Sequence, residues 1–236
     1  MRVALISDLH GNLAALDAVL DELERETFDE LVCLGDVAVG PQGAACVERL
    51  AALACAVVRG NWDVWFVEGV PALEGDVGAK LAEMGAWWAE RLTDEHRGLL
   101  RGYRPTYRSG PMLCFHGSPR SDEDWIVAET PDEELEQMLA GARDTVLAGG
   151  HSHLPLVRRH RGSLFVNPGS VGLPFRAQPG PIRIARWAEY ALVDADAERV
   201  GVELRRTGYD VDAYLELARG SGMPHADWWV GCWRDD

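Results

Sequence analysis

The sequence predicts an α/β fold built on a largely parallel sheet, and three observations predict it. Residues 1–63 alternate short apolar runs with amphipathic segments, the strand–helix–strand–helix–strand order of βαβ units. Every apolar run in that stretch stops at a polar residue after, or next to, glycine. Beyond residue 180, short strand-like stretches follow one another with no helical pattern between them, as antiparallel strands do.

The first strand is the run Val3–Ile6, which leads into Ser7-Asp8-Leu9-His10-Gly11-Asn12. Residues 13–26 follow as a helix, with Leu13, Leu16, Leu20 and Leu23 on one face and acids on the other. Glu30–Leu34 is the second strand, ending at Gly35-Asp36. Pro41 opens a helix that runs to about Leu53. Ala54–Val58 is the third strand, ending at Arg59-Gly60-Asn61-Trp62-Asp63.

Residues 64–104 read as a helical insertion. One helix spans about Val77–Leu92, and a second follows the cap at Thr93 and runs to about Arg101. Trp65, Trp87 and Trp88 in this segment either pack it onto the body or line a pocket. Arg104–Arg108 and Met112–Phe115 form a hairpin around Ser109-Gly110-Pro111, leading to His116. A helix from Pro131 to about Ala140 precedes the strand Thr145–Ala148, which ends in Gly149-Gly150-His151-Ser152-His153.

Strands at Leu156–His160 and Leu164–Val166 follow, then the turn Asn167-Pro168-Gly169-Ser170. The antiparallel strands are Ile182–Ala185, Tyr190–Val193 and Val200–Arg205, and the last helix is Asp210–Ala218. The tail from Gly220 carries Trp228, Trp229 and Trp233, enough aromatic surface to dock on the body or on a second subunit. This leaves a homo-oligomer open. The organisation predicted is one domain over residues 1–236, with the insertion at about 64–104 and a C-terminal extension at about 206–236.

Composition narrows the function. Apolar residues make up 47% of 236, enough for a sizeable core. No apolar run approaches the roughly 18 residues of a membrane span, and the start has no signal-peptide layout, so a cytoplasmic chain is expected. The five cysteines (33, 46, 55, 114 and 232) are scattered with no CxxC, and are expected as buried free thiols. The net charge of −15 argues against sequence-independent nucleic-acid binding. It leaves room for an anionic substrate, because bound divalent ions reverse the local field.

Asp8, His10, Asp36, Asn61, His116, His151 and His153 all sit at predicted strand ends. In open α/β folds those ends share one edge, where sites form. Seven nitrogen and oxygen ligands with no thiolate suit a pair of divalent transition-metal ions such as Mn, Fe or Zn. Three further residues are candidates for substrate contact. Asn12 is placed either to reach an anionic substrate or to cap the first helix. Arg120 and Arg176 either clamp such an anion or stay solvated.

The order Asp8-x-His10, Gly35-Asp36, Gly60-Asn61, His116, Gly150-His151-x-His153 resembles the calcineurin-like metallophosphoesterase family from residue 3 to about 175. The Asp8–Asn12 start and the Asn167–Ser170 turn are most similar to its small bacterial and archaeal phosphodiesterase branch. The resemblance implies a four-layer α/β/β/α sandwich of two mixed sheets. It also implies one metal held by Asp8, His10, Asp36 and His153 and another by Asp36, Asn61, His116 and His151, with a bridging hydroxide as nucleophile.

The implied substrate is a small phosphoester, a diester in preference to a monoester. A catalytically weak metal-binding scaffold is the alternative, and the acidic composition opposes a nuclease. One departure stands out. Many members of the family carry a proton-donating His after the Gly-Asn, and this chain has Trp62.

Overall fold

The structure is a computed structural model that describes residues 1–176, 183–196 and 199–233. Two five-stranded mixed sheets face each other, with helices on the outside of both. The first sheet takes β1 (Arg2–Ile6), β2 (Glu30–Cys33) and β3 (Ala56–Val57) in parallel. The helices α1 (Leu13–Leu23) and α2 (Gly43–Leu53) are the crossovers between them. α3 (Asn61–Glu68), α4 (Gly75–Ala89) and α5 (Asp94–Arg101) come next in the chain.

The second sheet follows with β4 (Tyr107–Ser109), β5 (Met112–Cys114), β6 (Val146–Ala148), β7 (Leu156–His160) and β8 (Ser163–Asn167), and α6 (Asp132–Met138) crosses from β5 to β6. β9 (Ala188–Ala195) and β10 (Val200–Thr207) return to the first sheet, where β9 pairs antiparallel to β1. α7 (Val211–Gly220) and α8 (Ala226–Gly231) end the described chain. The strand orders are β10-β9-β1-β2-β3 and β4-β5-β6-β8-β7.

Strand alternation divides the apolar side chains among three cores. Val3, Leu5, Val32 and Leu34 meet Met112, Cys114, Val146 and Val166 between the sheets. Ala4, Ile6 and Cys33 point the other way, onto the buried stripe of α1 and α2, which includes Leu16, Leu20 and Val47. Leu113, Leu147 and Phe165 pack under Leu135 and Leu139 around α6. The outcome is the α/β/β/α layering that the resemblance implied.

The structure corrects several details. Asn61, Trp62 and Asp63 are not a loop after a strand; they are the first turn of α3. The Asp63 carboxylate caps that turn by accepting the Gly60 N–H at 2.9 Å. The tail from Gly220, to which the sequence assigns no element, is helical in part. It forms α8, and Trp229 stacks edge-on against Trp88 of α4 at 5.5 Å and lies 5.7 Å from Trp233. Those two tail tryptophans are therefore buried on their own chain.

Of the strand predicted at Ile182–Ala185, Ile182 lies outside the described residues, and Ile184 makes one isolated bridge to Phe175. The predicted tail's residues 234–236 also lie outside them. The cysteines are free thiols, four of them buried and Cys55 half-buried.

Candidate metal centre

Parallel strands run the same way, so their C-terminal ends deliver polar residues to one edge. Asp8 follows β1, Asp36 follows β2, Asn61 follows β3, His116 follows β5, and His151 and His153 follow β6. Main-chain hydrogen bonds tie these ends together. Asp8 N–H donates to Gly35 O at 2.9 Å and His10 N–H to Asp36 O at 3.0 Å. Gly150 N–H donates to His116 O at 2.8 Å and Gly172 N–H to Asp8 O at 3.0 Å. Asp8, His10, Asp36, His151 and His153 all have positive φ, from 45° to 63°. Left-handed backbone at non-glycine residues costs about 1–3 kcal/mol each, and it persists where the surroundings hold it.

The seven predicted residues are brought together. Asp8, His10 and His153 offer ligand atoms within 4.8 Å of one another, and so do Asp36, His116 and His151. The Asp36 carboxylate lies between the two groups. Its Oδ2 is 3.7 Å from His10 Nε2 and 3.6 Å from His116 Nε2. Asn61 Oδ1 is 3.2 Å from His116 Nε2.

The donor chemistry fits divalent cations. His116 Nδ1 faces Leu34 O at 2.7 Å and His153 Nδ1 faces Leu173 O at 2.8 Å. Carbonyls only accept, so each Nδ1 carries a proton and each ring turns its Nε2 inward. His153 Nε2 then lies 3.3 Å from Asp8 Oδ1 and 3.0 Å from His10 Nε2, and His116 Nε2 faces Asn61 Oδ1. Nitrogen and oxygen atoms converging in this way suit a divalent cation. Asp8 Oδ1 is buried with no hydrogen-bond partner at all.

Charge supports the same reading. Burial pushes His10 down to about 4 and His151 to about 3, which keeps both rings neutral. Burial, with the charges of Asp8 and Asp63, drives the Asp36 carboxyl well above the usual carboxylate range. Burial also opposes ionisation of Asp8, but His153 and His10 outweigh it and hold its carboxyl well below that range. A bound cation relieves this crowding of carboxylates.

A model of the calcineurin-like phosphoesterase superfamily domain matches residues 1–197. The chain belongs to this superfamily. The phosphodiesterase YfcE of Escherichia coli K12 is 29% identical over 83% of this chain and 89% of its own length. An uncharacterised protein of Methanocaldococcus jannaschii is 27% identical over 97% of this chain and 95% of its own. A metallophosphoesterase from Sphaerobacter thermophilus superposes with a TM-score of 0.77 and 28% identity, covering 98% of each chain.

Several further residues brace the candidate ligands. Asp63 Oδ2 accepts from the backbone N–H groups of Asp36 and Gly60, both at 2.9 Å. Its Oδ1 accepts from those of Val37 and Ala38 at 3.0 and 3.3 Å. Ser7 Oγ donates to Asp8 Oδ2 at 2.5 Å, and His151 N–H reaches the same oxygen at 3.1 Å. Asn167 Nδ2 donates to Gly150 O, and Ser170 Oγ donates to Asp8 O at 2.7 Å. Gly150 has no room for a side chain. A Cβ there would stand 2.0 Å from Ser7 Oγ and 2.8 Å from Asp8 Oδ2. Asp63 is detectable in the sequence only by its nearness to Asn61, and Ser7 reads there as the end of a strand.

The three substrate-contact candidates have other partners or line other grooves. Asn12 is buried and caps α1, its Oδ1 accepting from Ala15 N–H and its Nδ2 donating to Tyr209 Oη at 2.9 Å. The cap takes the amide oxygen, and Tyr209 takes the NH₂ that a phosphate would need. Arg120 forks onto Asp124 at 2.6 and 3.2 Å, in a groove beside Asn61. Arg176 lines a separate groove with Trp187 and Glu189. His96, His160 and His225 pair with Glu48, Glu136 and Glu83.

A cavity of about 230 Å³ opens directly over the candidate ligands. His10, Asp36, Asn61, His151 and His153 form its floor. Its walls come from α3, α4, α8 and the loops around Trp125 and Phe175. Trp62 is one of those walls, packed against Trp65, Phe66 and Trp88 at 4.8, 5.8 and 6.0 Å.

Proposed function

We propose that this chain is a two-metal phosphodiesterase acting on a small phosphoester. The observation that carries the reading is the pair of Asp/His clusters sharing the Asp36 carboxylate, inside a calcineurin-like phosphoesterase domain. The phosphodiesterase name of the Escherichia coli relative supports the same class of reaction. Asp8, His10, Asp36 and His153 would hold one ion, and Asp36, Asn61, His116 and His151 the other. Two such ions supply an activated water and Lewis-acid stabilisation of the phosphoryl oxygens.

The protein's own part is positioning. Leu34 O and Leu173 O hold Nδ1 of His116 and His153, so the Nε2 atoms face inward before any ion arrives. Asp63 holds the backbone of Asp36, Val37, Ala38 and Gly60, which keeps the shared carboxylate at its point between the clusters. Trp62 places an indole beside the ligand Asn61. Indole donates a hydrogen bond but transfers no proton at neutral pH. The leaving oxygen must therefore depart without a side-chain acid at that position.

The test is a substrate panel with Mn²⁺-loaded protein. Bis(p-nitrophenyl) phosphate should be hydrolysed faster than p-nitrophenyl phosphate, and chelation should stop both. No turnover with metal bound would overturn the reading and favour a catalytically weak metal-binding scaffold.

A further inference from the structure

The cavity over the ligands is chemically one-sided. Its floor is polar, whereas its walls are apolar, half of them aromatic, and, among the described residues, include no lysine or arginine. The aromatic rings lean on the floor itself. Phe175 packs on the His153 ring at 4.3 Å and Trp125 meets His151 edge-on at 5.4 Å. Trp62, Trp88 and Trp229 continue the wall, with 6.0 and 5.5 Å between successive ring centres. Trp125 stands at the mouth with 44% of its surface exposed, although it lines the cavity. A large exposed indole beside a buried polar floor marks a surface that a ligand covers.

We propose that this cavity binds a flat aromatic arm of the substrate, so that the preferred ester is a phosphodiester monoanion carrying at least one aryl or heteroaryl group. The inference rests on the phosphodiesterase reading above and names its substrate class. The absence of lysine and arginine from the described walls supports the monoanion, because no side chain there adds to the charge of the two ions to hold the second charge of a phosphomonoester. Size agrees as well. An apolar cavity of roughly 150 Å³ takes up benzene, so 230 Å³ holds a one- or two-ring group. Ring-on-ring contacts add attraction beyond the area they bury.

Two non-hydrolysable monoanions test this on the full-length, Mn²⁺-loaded protein: naphthylmethyl(methyl)phosphinate and ethyl(methyl)phosphinate. Calorimetry should give at least about tenfold tighter binding for the naphthyl probe. That probe should also quench tryptophan fluorescence. Trp125→Ala, an exposed position that the fold tolerates, should narrow the ratio. A ratio near one in the wild type, or a ratio that Trp125→Ala leaves unchanged, overturns the aromatic site. Hydrolysis of bis(p-nitrophenyl) phosphate is measured alongside. Hydrolysis with a ratio near one removes the aromatic site and keeps the phosphodiesterase. A high ratio without hydrolysis keeps the aromatic site and removes the phosphodiesterase.

Discussion

Replacing Asp63 separates a positioning carboxylate from a catalytic acid. Its two oxygens accept four buried backbone N–H groups. Asp63→Ala would strip all four, and at about 1–3 kcal/mol for each unsatisfied buried donor the loss rivals a whole domain's stability. Asp63→Asn is the usable variant. Its amide oxygen should keep the two 2.9 Å bonds from Asp36 and Gly60, leaving its NH₂ against the N–H groups of Val37 and Ala38.

Two donors lost cost about 2–6 kcal/mol. For a chain of this size that corresponds to a fall in Tm of roughly 5–20 °C. Thermal unfolding in the presence of chelator should show the fall, and Mn²⁺ titration should show weakened binding, because the Asp36 loop has loosened. The remaining activity should keep the wild-type dependence on leaving-group pKa. An unchanged Tm and metal affinity, with a rate lost mainly on alkyl esters, would refute the positioning role and make Asp63 the missing acid.

Other expectations follow from the same geometry. Without an acid at Trp62, aryl diesters should turn over far faster than alkyl ones. Trp62→His, once shown to fold, should recover alkyl substrates more than aryl ones, by at most about 10²–10⁴-fold, and a flat wild-type dependence on leaving-group pKa would refute this. Gly150→Ala should weaken metal binding and lower Tm, because its Cβ collides with Ser7 Oγ, whereas Gly201→Ala, with nothing nearer than 3.8 Å, should do neither. Metal-free protein should lose stability as pH falls below about 6.5. His10 and His151, folded near 4 and 3, refuse protons that the unfolded chain accepts, so Tm should drop by on the order of 10 °C between pH 7 and 5 in chelator.

The seven candidate ligand residues were legible because each follows an apolar run that parallel pairing carries to one edge. Their supports were less so. The carbonyls of Leu34 and Leu173 have no signature in a side-chain pattern, and Ser7 reads as the last residue of a strand. α3 was missed because its cap is a backbone glycine bonded by Asp63, with no Ser, Thr or Asn before it. α8 was missed because six residues are too few to show a helical period.

Asn12 was ambiguous by nature, since the amide that would reach a phosphate also caps a helix, and tertiary contact with Tyr209 decided it. The arginines were chosen by nearness in sequence to motif blocks. The loops carry Arg120 to Asp124 and Arg176 to another groove. Whether the tryptophans packed the body or lined a pocket had no single answer. Trp88 is 2% exposed in the core and still walls the cavity.

The most direct test of two-metal phosphodiester hydrolysis is a titration of chelator-stripped protein with Mn²⁺, counting bound ions while following bis(p-nitrophenyl) phosphate. Activity should rise with the filling of two sites per chain, and Asp36→Asn should weaken both. Full activity with one ion or none, or two full-affinity ions in Asp36→Asn, would contradict the account.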